Sequence, residues 1–233
     1  MPNLTIIGTS HIAKESVREV RRFIREKRPD IVAVELDRRR LHGLLSRHRP
    51  KSSFYNIFRV GIQGYLFSLI GAWASRKMGN VVGTDPGADM KAAVLAARKE
   101  KLQLALIDQD IEITLRRFSQ AFTWREKWQM VKDVFEGIFN KEAAMKKLHG
   151  LDLRKVPKDE LIERLLEEVR HKYPSLYQVL ITERNKVMVN NLKRIMRQYP
   201  DRSILAVVGA GHREGMESLL NKVDAISYSF SFS

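Results

Sequence analysis

The feature that most constrains the fold is one pattern near both ends of the chain: an apolar run, then Gly-x-x-His, then a helix-like stretch. Residues 4–7 precede Gly8 and His11, and residues 204–208 precede Gly209 and His212. In a parallel α/β sheet, ligands collect beyond the carboxyl ends of the strands, where glycine permits the tight turn into the next helix. A helix N-terminus disfavours an imidazolium, so each ring is expected to be neutral and able to bind a metal or accept a proton. The two histidines therefore predict one shared site.

The composition limits the class of protein. The chain has 233 residues, of which 44% are hydrophobic, enough for one domain with an insertion. It has no cysteine, which excludes disulfides, thiolate zinc sites and cysteine nucleophiles. The net charge of +15 favours anionic surfaces, but no motif indicates a specific nucleic-acid partner. No signal peptide is evident, so we expect a cytoplasmic or membrane-associated protein.

The remaining elements alternate as in an α/β protein. A helix after His11 is expected to end near Pro29, and strands are expected at residues 31–36, 81–83, 102–107 and 204–208. A helix is expected after Gly87, another over residues 212–223, and an edge strand over 225–232. We therefore predict a central, mostly parallel sheet with flanking helices, formed by about residues 1–110 and 200–233. A large helical insertion, over about residues 111–199, completes a single domain of residues 1–233.

Two apolar segments could serve association. Residues 54–74 are apolar and aromatic, and we expect them to pack on the domain or at a homodimer interface, with membrane contact as the alternative. The second segment, residues 118–148, carries aromatics at helical spacing, and we expect them to pack in the protein. These aromatics are Phe118, Phe122, Trp124, Trp128, Phe135 and Phe139.

Glu35 interrupts an apolar strand at its carboxyl end, and a carboxylate there is costly unless it is paired, metal-bound or facing a cleft. With His11 and His212 it makes a ligand set for a divalent ion that keeps a position open for water. Alternatively, Glu35 is a general base and the metal has other ligands. A third interpretation is that Glu35 forms a buried ion pair with an arginine such as Arg184, and that His11 caps its helix.

Two aspartates follow the strand at residues 102–107. Asp108 and Asp110 are expected to line the same cleft, and Arg184 is expected to pair with a carboxylate when substrate is absent. We expect Glu35 and both histidines to face solvent, so that their replacement leaves folding intact.

Six short segments, in chain order, resemble the TraB/PrgY pheromone-shutdown family. They are Gly8-Thr9-Ser10-His11, Val34-Glu35-Leu36-Asp37, Gly87-Ala88-Asp89-Met90, Asp108-Gln109-Asp110, Glu183-Arg184-Asn185 and Val208-Gly209-Ala210-Gly211-His212. That family is related to the Tiki membrane metalloproteases and, more remotely, to the erythromycin-esterase and ChaN-like proteins. One departure is Gln109, where the family tends to have an arginine.

The resemblance implies an α/β fold with helical insertions and a site built from His11, Glu35 and His212. It also implies peptide cleavage that depends on a divalent metal, with manganese or cobalt in preference to zinc. Further cleft residues would be Gly8, Asp89, Asp108, Asp110, Glu183 and Gly209. Because many members continue into C-terminal membrane helices, the chain is interpreted as a candidate soluble part of a longer membrane protein.

Two functions from different classes follow. The first is a metal-dependent hydrolase, foremost a peptidase acting on peptides or proteins, in which Arg184 polarises or positions the scissile carbonyl. The second is a non-catalytic protein that binds a peptide or another ligand and acts in signalling or sequestration. The fold does not choose between them, because function resides in the site.

Overall fold

The computed structural model describes residues 4–9, 14–46, 87–139 and 158–229. Their strands form one parallel sheet in the order β1-β4-β2-β3, with β1 Leu4–Thr9, β2 Ile31–Val34, β3 Gln103–Leu106 and β4 Ile204–Gly209. Ala206 of β4 lies opposite Ile6 on one side and Ala33 on the other. The strand that comes last in the sequence is therefore central, and the predicted parallel α/β fold is confirmed.

Helices surround this sheet and fill most of the segment between β3 and β4. They are α1 Lys14–Lys27, α2 Arg38–Leu45, α3 Ala88–Lys99, α4 Ile111–Ala121, α5 Trp124–Phe139, α6 Lys158–Lys172, α7 Pro174–Tyr177, α8 Arg184–Gln198 and α9 Ala210–Ser229. A π-helical segment, Gln178–Glu183, joins α7 to α8. Within the described ranges, none of the helices is both long and apolar enough to cross a bilayer.

Two apolar layers enclose the sheet, because successive strand residues point to opposite faces. Val32 and Val34 belong to the layer that contains α1 and α3, with Val20, Ile24, Ala93, Val94 and Ala97. Ile31 and Ala33 belong to the layer that contains α8 and α9, with Met188, Val189, Leu192 and Met216. Covering both faces explains why β2 and β4 are apolar almost without interruption in the sequence.

The first helix ends where the sequence predicts. Val20 and Ile24 are fully buried and lie one turn apart on α1. The helix ends at Lys27, Arg28 adopts a left-handed conformation with φ of 42°, and Pro29 follows. Because the residue before a proline disfavours the helical region, the chain leaves α1 at this point and enters β2.

Two predictions about secondary structure and packing are wrong. Residues 225–229, predicted to start an edge strand, continue α9, and no Gly or Pro after Gly215 stops that helix. Trp124 and Trp128, predicted to pack in the protein, are 73% and 70% exposed, whereas Phe118 is buried. The predicted strand at 81–83, the apolar residues 54–74 and His11 lie outside the described residues.

Candidate functional site

Glu35 follows β2 directly and lies at the carboxyl edge of the sheet. Its side chain is 5% exposed, and its Oε2 accepts a hydrogen bond of 2.6 Å from the backbone N–H of Gly209. Gly209 is the last residue of the central strand. The backbone therefore fixes one carboxylate oxygen, and the other, Oε1, contacts side chains of α8 and α9.

His212 lies in the first turn of α9, directly after β4, and is 4% exposed. Its Nδ1 lies 2.7 Å from Oδ1 of Asn185. An amide oxygen only accepts, so these partners assign the ring hydrogen to Nδ1, which donates it to Asn185. Nε2 then keeps its lone pair, 3.3 Å from Oε1 of Glu35 and 3.1 Å from Nη1 of Arg184. Asn185 thus holds the imidazole with its acceptor nitrogen turned toward Glu35.

Arg184 is the central contact of the site. It opens α8 directly after the π-helical segment Gln178–Glu183, a type of irregularity that is frequent at functional sites. Its Nη2 forms ion pairs with Glu35 and, at 2.5 Å, with Oδ2 of Asp108, and its Nε donates to the same oxygen at 3.1 Å. Burial lowers the pKa of Arg184, but the charges of Glu35 and Asp108 and their hydrogen bonds raise it above its ordinary value. The guanidinium is therefore a fixed positive charge.

Asp108 follows β3 closely, and its side chain is fully buried. It accepts a hydrogen bond of 2.8 Å from the N–H of Gln109 and forms a second ion pair with Arg40. Arg40, on α2, donates from Nε to Asp37 at 2.6 Å, and Asp37 caps the same helix. Burial lowers the pKa of Arg40, but the charge of Asp108 together with the hydrogen bonds to Asp108 and Asp37 raises it above its ordinary value. Burial raises the pKa of Asp37, but hydrogen bonds from Arg40 lower it below its usual range.

These contacts join five residues in one charge cluster, whose members are Glu35, Asp37, Arg40, Asp108 and Arg184. The cluster has three carboxylates and two guanidiniums, and therefore a net charge of minus one. Nε2 of His212 adds a lone pair beside it. This edge of the sheet consequently favours a cation.

Oε1 of Glu35 and Nε2 of His212 are atoms of the kind that bind a cation, but the guanidinium of Arg184 already contacts both. Two lone-pair atoms 3.3 Å apart, Oε1 of Glu35 and Nε2 of His212, repel each other unless a positive charge lies beside them. In this structure Arg184 supplies that charge. Within the described ranges, no three or more His, Cys, Asp or Glu side chains form a group that could hold a metal ion. The third predicted ligand, His11, lies outside those ranges.

Two expectations about this edge have a clear outcome. The prediction that Arg184 pairs with a carboxylate is confirmed, and the ion pair with Glu35 is the one left open above. The expectation that Glu35 and His212 face solvent is wrong, because α8 and α9 cover them and both are at most 5% exposed. Replacing either residue therefore removes buried polar contacts, and we expect the free energy of unfolding to fall.

The other predicted carboxylates have different partners from Glu35. Asp89 is buried on α3 and accepts a hydrogen bond from the hydroxyl of Thr9 at the end of β1. Asp110 caps α4 by accepting from the N–H of Glu112 at 2.9 Å, and its other oxygen lies 3.4 Å from Nε of Arg39. Glu183 pairs with Arg117, which is half exposed, at 2.9 Å. Neighbouring positions in the sequence thus have different roles.

The predicted glycines allow close approach of the backbone. A Cβ at Gly8 would lie 3.2 Å from Cα of Ala210 and 3.1 Å from Cδ of Arg213, so β1 passes tightly under the start of α9. A Cβ at Gly211 would lie 3.1 Å from Cδ1 of Leu166 on α6. Gly209 contributes its N–H to Glu35. Close packing therefore favours glycine at position 8, in the N-terminal copy of the Gly-x-x-His pattern, and at position 211, within the C-terminal copy.

Sequence reasoning missed the roles of Arg40 and Asn185. Asn185 lies on the apolar face of α8 that also contains Met188, Val189 and Leu192, so a polar residue at that phase was an available signal. No comparable signal marks Arg40, which belongs to the run Arg38-Arg39-Arg40 and whose ion-pair partner, Asp108, is 68 residues away. Only the fold brings these two charges together.

The arrangement can accept or transfer a proton. Oε1 of Glu35 and Nε2 of His212 are both acceptors, within 3.3 Å of each other and largely shielded from water. In such surroundings electrostatic interactions are stronger than in bulk solvent. Arg184 lies beside both acceptors and can orient a carbonyl or carboxylate oxygen.

Comparisons with known proteins agree with the motif order. A sequence model of the TraB/PrgY/gumN family matches residues 2–231. An uncharacterized protein of Methanocaldococcus jannaschii is 34% identical over 224 residues, which is 95% of this chain and 54% of that protein. The TraB domain-containing proteins of Mus musculus and Homo sapiens are each 25% identical over 236 residues, 91% of this chain and 61% of theirs. The chain thus spans little more than half the length of these curated relatives.

Proposed function

The chain belongs to the TraB/PrgY/gumN family, and from that premise we propose that it is a metal-dependent hydrolase that cleaves peptides or proteins. The observation that supports this most is the convergence of Glu35 and His212, 3.3 Å apart and buried at the carboxyl edge of a parallel sheet. That edge is where α/β proteins of this kind bind ligands. A carboxylate and an imidazole acceptor side by side suit a site that holds a cation and moves a proton.

The proposed cofactor is a divalent ion, manganese or cobalt in preference to zinc, held by His11, Glu35 and His212. When bound, such an ion activates a water molecule and polarises a carbonyl group. Asn185 orients the imidazole of His212 through Nδ1, so that Nε2 is the atom offered to a cation. The N–H of Gly209 holds one oxygen of Glu35 and directs the other to the same place. Glu35 acts either as a ligand or as the general base.

Arg184 is proposed to polarise or position the scissile carbonyl. Its guanidinium is 13% exposed and is held by Asp108, which Arg40 and the N–H of Gln109 fix in turn. A planar fork oriented in this way binds a planar carbonyl or carboxylate better than a lysine would. We therefore expect Arg184→Lys to lower turnover although the charge is kept.

The alternative is a binding protein that captures a peptide or another ligand without turnover, for signalling or sequestration. One observation favours it: the guanidinium of Arg184 contacts Oε1 of Glu35 and Nε2 of His212, the two atoms that a metal would need. Such a site needs neither a nucleophile nor a metal.

Peptide-library cleavage, read by mass spectrometry with and without manganese, cobalt or zinc, tests the proposal. We expect metal-dependent products, and we expect His212→Ala to lose both metal affinity, measured by calorimetry, and turnover. His171→Ala is the matched control, because that histidine is 78% exposed on α6 and contacts only Glu167 among the ion pairs found. Glu35→Gln separates two roles: loss of turnover with metal retained indicates a base, and loss of both indicates a ligand.

The same assay contains the results that contradict the proposal. Cleavage that is equal without metal would reject the metallohydrolase. If a ligand binds but no product forms at any metal concentration, and His212→Ala binds the ligand as well as the wild type does, the protein is a binding protein. Circular dichroism of each variant is the control for folding, since Glu35 and His212 are buried.

Partners and location are proposals as well. We propose a peptide or protein substrate, no specific nucleic acid, and a homodimer or membrane contact through residues 54–74. We also propose a cytoplasmic or membrane-associated location. Light scattering and liposome flotation of Leu66→Asp with Leu69→Asp test the role of that segment.

A further inference from the structure

Helix α5 presents an aromatic stripe to solvent, formed by Trp124, Trp128 and Val131. These side chains are 73%, 70% and 46% exposed, and they are four and then three positions apart on the helix. Residues at this spacing lie on one face. Two large exposed indoles on one face are unusual on the surface of a protein and indicate a binding surface.

Contacts on the opposite face of α5 fix the rotation of this helix, so the stripe faces solvent. Met130 packs on the buried cluster of Phe118, Phe122 and Val179. The carboxylate of Glu126, 4% exposed, accepts from the N–H and hydroxyl of Thr123 and from the N–H of Ser175. Rotating the helix to bury the tryptophans would break these contacts.

Cations surround the stripe. Arg125 and Lys132 are exposed beside it, and Nζ of Lys127 lies 4.5 Å from the centre of the Trp124 ring. Glu126 is turned inward, and the carboxylate of Asp133 accepts hydrogen bonds from Gln129 and from the hydroxyl of Tyr173. The outer surface of α5 therefore combines indole rings with positive charge, on a chain whose net charge is +15.

We propose that the aromatic stripe and its flanking cations form a peripheral binding surface for an anionic lipid bilayer. Tryptophan rings partition into the membrane interface, and lysine and arginine beside them reach lipid phosphates. The stripe is convex and narrow, and a fluid bilayer can follow it without a matching groove. A second copy of this chain would bring the same three cations against each other, so self-association is disfavoured. The surface is distinct from residues 54–74 and independent of the proposed hydrolase.

Flotation with phosphatidylcholine vesicles, with and without phosphatidylserine, tests the proposal on the full chain. We expect binding to vesicles that contain phosphatidylserine, and a loss of at least about tenfold in Trp124→Ala with Trp128→Ala. Each cation near an anionic surface is worth about 1 kcal/mol, or about fivefold in affinity, so Lys127→Glu and Lys132→Glu should weaken binding further and increase its salt dependence.

Two matched controls isolate the stripe. Ile113→Ala removes another exposed apolar side chain, 52% exposed on α4, and Arg21→Glu with Arg25→Glu reverses exposed charges on α1. Both should bind as the wild type does. In a Trp73→Phe background all tryptophan fluorescence comes from α5, and quenching by brominated lipid then reports insertion of the stripe itself.

Several outcomes would overturn the proposal. These are no flotation with anionic vesicles, unchanged binding of the double tryptophan variant, no quenching by brominated lipid, or an equal loss in the α1 control. A wild-type dimer that the tryptophan variant dissociates, seen by light scattering, would make a second copy the occupant and the bilayer proposal wrong.

Discussion

Replacement of Arg184 by methionine tests whether its guanidinium holds the charge cluster together. Arg184 is 13% exposed, and the carboxylates of Glu35 and Asp108 that it pairs with are 5% and 0% exposed. Methionine fills a similar length without charge. Both carboxylates would then remain shielded from water, Asp108 with only Arg40 and Glu35 without its guanidinium partner.

The magnitude follows from these contacts. At an effective dielectric constant of about 20, two unit charges about 4 Å apart attract by about 4 kcal/mol. Arg184 makes such a contact with each of two carboxylates, but much of that gain offsets the cost of removing the charges from water. Removing one partner of a buried pair costs about 3–5 kcal/mol, and we expect this loss in the free energy of unfolding near pH 7. Domains are stable by roughly 5–15 kcal/mol, so the loss is measurable.

Urea unfolding in the presence of a chelator measures the effect. Arg117→Met is the matched control, because Arg117 pairs with Glu183 at 2.9 Å but is 50% exposed; it should cost less than about 1 kcal/mol. Adding Asp108→Asn to Arg184→Met removes one stranded charge, and the double variant should be more stable than Arg184→Met alone.

The pH dependence has a definite sign. In Arg184→Met the carboxylates of Glu35 and Asp108 are buried without the guanidinium, and a buried negative charge costs more than the neutral, protonated form. The difference in the free energy of unfolding between this variant and the wild type should therefore become smaller as the pH falls from about 7 to about 4. If Arg184→Met lowers the free energy of unfolding by less than about 1 kcal/mol, and by the same amount over this pH range, the ion pairs do not have the role described.

Two further predictions concern buried contacts outside the ion pairs. Gly215→Ala places a Cβ 2.4 Å from Nδ2 of Asn185 and should turn this amide away from the site histidine; nitrogen NMR of the ring reports the change of tautomer, and an unchanged spectrum would contradict it. Gly43→Ala, with no atom within 4 Å of its Cβ, is the control and should gain about 0.5–1 kcal/mol from helix propensity. Burial raises the pKa of Glu126, but hydrogen bonds from Thr123 and Ser175 lower it below the usual 4.5. The ionised carboxylate therefore stabilises the fold above pH 4.5, and this stabilisation is lost as the pH falls. As the pH falls from about 6 to about 3, the free energy of unfolding of the wild type should fall by about 1 kcal/mol more than that of Glu126→Gln. If the difference between the two proteins does not change with pH, the charge of Glu126 has no role in stability.

The strands and the two central site residues were predictable because their burial leaves a mark in the sequence. β2 and β4 are covered on both faces, so they appear as continuous apolar runs, and Glu35 stands out by interrupting one of them. His212 follows β4 after a glycine turn and lies where parallel strands place ligands.

The rest depends on rotational phase, which local patterns do not determine. Asp108 faces the charge cluster, whereas Asp110, two residues later, caps α4. Arg184 faces the cluster, whereas Glu183 before it pairs at the surface with Arg117. The alternation that starts at residue 225 resembles a strand, but a helix that begins at residue 210 and meets no Gly or Pro after Gly215 continues to residue 229.

The central position of β4 decides when the site comes into being during synthesis. β1 and β2 are not neighbours in the sheet; each hydrogen-bonds to β4, which the ribosome makes after all the other strands. At about 5–20 residues per second, β1 waits about 10–40 seconds for this shared neighbour, and the β2–β3 pair waits about 5–20 seconds. The N–H of Gly209 and the ring of His212 arrive with that last strand and the turn after it. A nascent chain therefore has Glu35 for most of its synthesis without Gly209 and His212, and the contacts of Glu35 with these two residues form only when β4 joins the sheet.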